Sequence, residues 1–153
     1  MDVECQANTV GLDESVLSIW VRVRVANPNG RRVARSCKGH LLGITRVGIA
    51  ECSSVGLPNS SRALNWEHLP GQSARDIHSG DDHRLDILHA ASNEACLRLS
   101  VSPPFAIPAA GIYELLIRVT SENADAKTIT IRIQCDGNWH SLRAADDCVR
   151  VES

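Results

Sequence analysis

Strict alternation of apolar and polar residues constrains this chain more than any other feature. In the stretch SVLSIWVRVRVANPNG, Leu17, Ile19, Val21, Val23 and Val25 fall on one parity, and Ser18, Trp20, Arg22, Arg24 and Ala26 fall on the other. Successive side chains of extended backbone point to opposite sides, so a period of two over this length predicts a half-buried strand. The same period returns in AAGIYELLIRV, where Tyr113, Leu115, Ile117 and Val119 alternate with Glu114, Leu116, Arg118 and Thr120. It returns again in KTITIRIQC, with Ile129, Ile131 and Ile133.

Between these runs the chain is punctuated by turn chemistry. NPNG at 27–30 combines a proline with an Asn-Gly pair and reads as a turn. The following RRVARSCKGHLLGITRVGI has the length and branching of a second strand, so residues 15–46 are expected to form one hairpin. Its apolar parity changes between Leu41 and Ile44, which predicts a bulge or bend near Gly43. Residues 48–62 are rich in Gly, Ser, Pro and Asn and read as a loop. SARDIHSGDDHRLDILHA divides at its Ser-Gly-Asp-Asp turn into two strands. EACLRLSV is a strand or a short helical turn, and SPPFAIP is extended, because a residue before proline is pushed out of the α region. The last two strands meet at a polar turn near Asn123 and Asp125. Seven to nine strands with turn signals every 8 to 14 residues, and almost no helical periodicity, predict an all-β antiparallel sandwich or barrel. Residues 1–153 read as a single domain of about the length that supports one core.

Composition excludes several functions. Sixteen basic and eighteen acidic residues leave a formal charge of -2, so no net field draws in nucleic acid. Aromatic residues make up 3% of the chain, too few for a base- or sugar-stacking platform. No segment approaches the roughly 20 apolar residues of a membrane span. The N-terminus lacks a basic and apolar leader pattern, so the chain as given is expected to be cytoplasmic, or to be the soluble fragment of a membrane-anchored or secreted protein. Six cysteines at irregular spacings allow 15 pairings, and they read mostly as reduced, buried hydrophobes.

AAGIYELLIRVTSENA resembles the penultimate strand of immunoglobulin-like and fibronectin-type sandwiches, which a Gly-x-Tyr step enters. IWVRVRVANPNGRRVARSCKGHLLGI resembles the opening strands of bacterial immunoglobulin-like domains, with Ala34-x-x-Cys37 in the second strand. The resemblance covers roughly 15–47 and 105–135. It implies a two-sheet immunoglobulin-like sandwich in which Gly111 makes a tight approach and the Tyr113 hydroxyl bonds back to the backbone at a corner. Leu115 stands where antibody domains carry cysteine, so their inter-sheet disulfide is not implied.

Chemistry-bearing motifs are sparse, and no enzymatic activity is expected. DIHSGDDHRLDILH resembles the HxHxDH element of metallo-β-lactamase-like hydrolases, but Gly80 occupies the middle histidine position. His78, Asp82 and His83 remain a candidate Zn²⁺ site, as an alternative to a solvated turn. Cys37 and His40, three apart on a strand, point to opposite faces. Arg31, Arg32 and Arg35 form the only basic run and, with Trp20, are the candidate binding residues. The expected function is therefore a non-enzymatic binding or accessory module with a protein partner and no required cofactor. Self-association into a homodimer, through an uncovered edge at a long strand such as 15–27, is a further expectation.

Overall fold

The computed structural model describes residues 2–13, 16–47, 52–54, 62–67, 69, 72–102, 105–144 and 150–152, with side chains at most of them. Among these residues fourteen strand segments occur in chain order: β1 (Asp2–Asp13), β2 (Val16–Ala26), β3 (Ala34–Val47), β4 (Cys52–Ser54), β5 (Arg62–Trp66), β6 (Arg75–Ile77), β7 (Asp82–Ala91), β8 (Cys96–Leu99), β9 (Val101–Ser102), β10 (Phe105–Pro108), β11 (Ala110–Thr120), β12 (Lys127–Asp136), β13 (Arg143–Ala144) and β14 (Arg150–Glu152). The number exceeds the expected seven to nine because half of the segments are two to four residues long and contribute only brief ladder contacts. Among the described residues there is no α-helix, only a 3₁₀ turn at Trp139–Ser141, and no helix long and apolar enough to cross a membrane. Most of the expected loop at 48–62 lies outside the described residues.

Every strand pairing is antiparallel. The main path runs β1-β2-β7-β5-β3-β11-β12-β13 and does not close into a barrel. β5 joins its two halves. Arg62 and Ala63 pair with β3, while Asn65 and Trp66 pair with β7, so one five-residue strand hands the ladder from one group of strands to the other.

Alternation places the core as the sequence predicts. Val21, Val23 and Val25 of β2 are fully buried, as are Tyr113, Leu115, Ile117 and Val119 of β11 and Ile129, Ile131 and Ile133 of β12. Each such side chain contributes roughly 1.5–3 kcal/mol by leaving water. Trp66 and Leu85 are buried with them, and Gly39 of β3 lies so close to Leu85 of β7 that a Cβ there would collide with its Cδ1. The parity change in β3 is a bulge: Leu116 pairs with Gly43 and Ile117 with Leu41, leaving Leu42 as the extra residue. A second bulge inserts Ile87 into β7, where Val21 pairs with Leu88 and Arg22 with Asp86.

The expected 15–46 hairpin does not form. β2 pairs with β1 and β7, whereas β3 pairs with β4, β5, β6 and β11. Asn27 is the physical reason. It is 3% exposed, and its side-chain amide donates to the Arg32 carbonyl at 2.8 Å and the Ile77 carbonyl at 2.9 Å. Those bonds hold the 27–33 segment in a wide crossing rather than a tight reversal. The same pairings correct the expected edge, because β2 is flanked on both sides and offers no free edge for self-association.

Of the cysteines, Cys37, Cys96 and Cys135 are free thiols, with Cys37 and Cys135 buried. Burial pushes the Cys37 thiol above its ordinary range. The side chains of Cys5, Cys52 and Cys148 lie outside those described.

Candidate functional site

Three connections converge at one end of the molecule: 27–33 after β2, 78–81 before β7, and 121–126 between β11 and β12. Their polar residues bond to one another. The Gly80 amide donates to the Asn27 carbonyl at 2.7 Å, and the Asn27 amide donates to the Asp81 carbonyl at 2.9 Å. Asn123 ties the third connection down as a strand would. Its side-chain amide donates to the Val33 carbonyl at 2.8 Å while its side-chain oxygen accepts from the Arg35 amide at 2.8 Å. The Ser121 hydroxyl and the Glu122 amide both donate to the Arg35 carbonyl, at 2.8 and 3.0 Å.

Two clefts open on this framework. One, of about 580 Å³, is lined by Arg31, Arg32 and Lys127, with Asp2, Asn27, Asn123 and Asp125 among the other walls. The second, of about 600 Å³, shares Arg32 and Asn123 and adds Arg35 and Glu122. Arg31, Arg32 and Arg35 are exposed, and among the described residues their guanidinium groups join no ion pair. Most other arginines are engaged. Arg22 bonds Asp86 at 2.7 Å and approaches Glu67 at 3.5 Å; Arg24 pairs with Asp82 at 2.8 Å. Arg62, Arg75 and Arg46 lie over the rings of Phe105, Trp66 and Tyr113. The basic run thus combines a lack of ion-pair partners among the described residues, which Arg118 shares, with close spacing at one end of the fold. Unpaired guanidiniums in a wall suit bidentate contact with carboxylate or phosphate.

Trp20 does not belong to this site. It lies on β2 seven residues before Asn27, roughly 23 Å along an extended strand. Its ring stacks on His89, with centroids 4.2 Å apart and an interplanar angle of 22°, and Arg22 covers it at 4.9 Å. Its indole N–H donates to the Ser18 hydroxyl at 2.9 Å. The ring is a packed member of the outer face of β2 and β7.

This stack predicts a pH dependence. Burial holds the His89 imidazole below its ordinary value of 6.5, with Glu94 and Asp86 opposing the shift and Arg98 and Arg22 adding to it. The folded chain therefore binds this proton less readily than the unfolded chain. Stability is complete above pH 6.5 and falls as the pH drops below it toward the lowered folded value. His89→Phe keeps a ring on Trp20 and removes the proton, so urea unfolding followed across that range is expected to show a shallower acid loss. His40 and His83, also lowered chiefly by burial, retain part of the slope. An unchanged slope in the variant would remove His89 from the explanation.

The Zn²⁺ residues are not gathered. β6 pairs with β3 and β7 with β2, so His78 and His83 flank a crossing between strand groups rather than a paired hairpin. Asp82 is taken by Arg24, and although Asp82 and His83 both line a recess of about 290 Å³ with Glu67 and Arg75, His78 does not. Among the described residues no three His, Cys, Asp or Glu side chains are placed to hold a metal ion.

Sequence reading missed Asn27 and Asn123 as clamps, since both sit in turn-like contexts where asparagine is ordinary. At the opposite end of β11 the Tyr113 hydroxyl donates to the Pro108 carbonyl at 2.7 Å, and the ring packs over Gly111, where a Cβ would meet Cε2 at 3.0 Å. No family model matches the chain, and neither a curated protein nor a solved structure matches it.

Proposed function

We propose that this chain is a non-enzymatic, immunoglobulin-like binding module that grips an acidic segment of a protein partner between its 27–35 and 121–127 connections. The observation that carries the reading is the set of three unpaired guanidiniums, Arg31, Arg32 and Arg35, walling two adjoining clefts on a hydrogen-bonded frame. The sandwich assignment is supported by the order of pairing, β2 beside β7 and β3-β11-β12 together, and by the Tyr113 bond to Pro108 across the entry to β11. A carboxylate-rich peptide presents repeated acceptors at the spacing of an extended chain. Arginine forks in a fixed wall meet such acceptors in pairs.

Fluorescence anisotropy of a labelled oligoglutamate peptide tests the reading. The peptide is expected to bind the intact chain and to weaken as salt is raised. The triple variant Arg31→Ala, Arg32→Ala, Arg35→Ala is expected to bind roughly tenfold to a hundredfold less tightly, because exposed charge-assisted bonds contribute modestly each. Substitutions at exposed, unpaired positions leave stability within about 0.5 kcal/mol. Equal affinity for the two proteins, or no binding by the intact one, would contradict the proposal.

A further inference from the structure

The large apolar side chains most exposed among the described residues, Leu42, Ile112 and Leu116, are 38–39% exposed and all lie on the outer face of β3 and β11. Elsewhere on that face stand threonines and a few charges. Leu116 is flanked by Gly43 on β3 and Thr130 on β12. Beside it Gly43 leaves open space, since a Cβ built there meets no atom within 4 Å. Leu42 is the extra residue of the bulge and stands next to that opening. Along β11 the outward residues read Ile112, Glu114, Leu116, Arg118 and Thr120, so an acid and a base flank Leu116 at equal spacing. Arg118 is exposed and joins no ion pair among the described residues. Glu114 pairs with Arg132 and keeps 36% of its side chain exposed.

We propose that a second copy of this chain covers the face, in an isologous dimer. Its two-fold axis runs beside Leu116, between the two sheets and perpendicular to β11. This rotation reverses position along the strand and keeps position across it. Leu116 therefore meets Leu116 of the second copy, and Leu42 of each copy settles over the open space at Gly43 of the other. Arg118 and Glu114, each about 6.8 Å from Leu116 along the strand, come opposite one another on both sides of the axis. The face is thus self-complementary in shape and in charge, as an isologous contact requires. This surface is distinct from the arginine clefts.

Sedimentation analysis of the full chain through the micromolar range reads the outcome. The intact protein is expected to shift from monomer to dimer with concentration. Gly43→Glu, whose Cβ meets no atom of its own chain within 4 Å, and Arg118→Glu are each expected to remain monomeric with unchanged circular dichroism. Arg118→Glu mixed with Glu114→Arg is expected to recover dimer, because each chain then meets an opposite charge at both positions. The proposal is overturned by an intact chain that stays monomeric throughout, by a dimer that both variants leave intact, or by a mixture that recovers nothing. Oligoglutamate binding by Gly43→Glu separates this result from the fate of the cleft reading.

Discussion

Tyr113→Ala is expected to cost about 3–5 kcal/mol in urea unfolding, the range for removing a large buried aromatic ring, and Tyr113→Phe about 1–2 kcal/mol. The difference separates two contributions of one residue. The ring is fully buried between Leu115 and Gly111, with the Arg46 guanidinium 5.8 Å from its centroid. The hydroxyl reaches back five residues to the Pro108 carbonyl at 2.7 Å, and phenylalanine leaves that carbonyl without its donor. The Gly-x-Tyr spacing follows from the same geometry: any side chain at 111 would press on the ring at 3.0–3.2 Å. Gly111→Ala in the Tyr113→Ala background should accordingly cost less than in the intact protein, a coupling that a double-mutant cycle reads directly. Additive losses would mean that the ring and the glycine do not constrain each other.

Asn27→Ala is expected to cost about 1–3 kcal/mol, since it strips the donor from two carbonyls, the Ile77 one buried and the Arg32 one partly so. The one side chain thus ties the Arg32 carbonyl of the 27–33 connection to the Ile77 carbonyl of β6, beside the pairing of Ala34 with Ile77. Asn27→Asp should be worse than alanine despite its matching shape, because it sets a carboxylate against two carbonyl oxygens in a buried position. Both variants should weaken oligoglutamate binding as well, by loosening the wall that carries Arg31 and Arg32. Thermal melting and anisotropy measured on the same preparations check the two effects together. An aspartate variant as stable as wild type would show that Asn27 does not hold the crossing.

Particular residues show how far local pattern reaches. The parity of Trp20 puts it on the polar-facing side of β2, and there Arg22 covers the ring. His89, its stacking partner, lies on a strand whose neighbours no local pattern specifies. Arg22 and Arg31 look alike in the sequence, yet one is held between Asp86 and Glu67 and the other faces a cleft. A side chain only 13% exposed at Arg22, against an exposed one at Arg31, follows from which strand lies alongside. The bulge at Leu42 and Gly43 was readable because a change of parity within one strand is itself a local signal. The 15–46 hairpin was misread because a turn sequence after a strand is consistent with reversal and with crossing alike.

What the sequence determined by itself was the strand state, the inward face of each long strand and the antiparallel all-β class. Alternation acts residue by residue, through the fixed geometry of extended backbone and the removal of one face from water. Which strands lie beside which was decided only in the tertiary structure. Backbone hydrogen bonds are the same for every pair of strands, so the choice fell to a few side chains with distant partners: Asn27 to Ile77, Asn123 to Val33 and Arg35, and Gly39 beneath Leu85. Those same contacts bring Arg31, Arg32 and Arg35 to one end of the fold and leave Leu42 and Leu116 facing outward from its side.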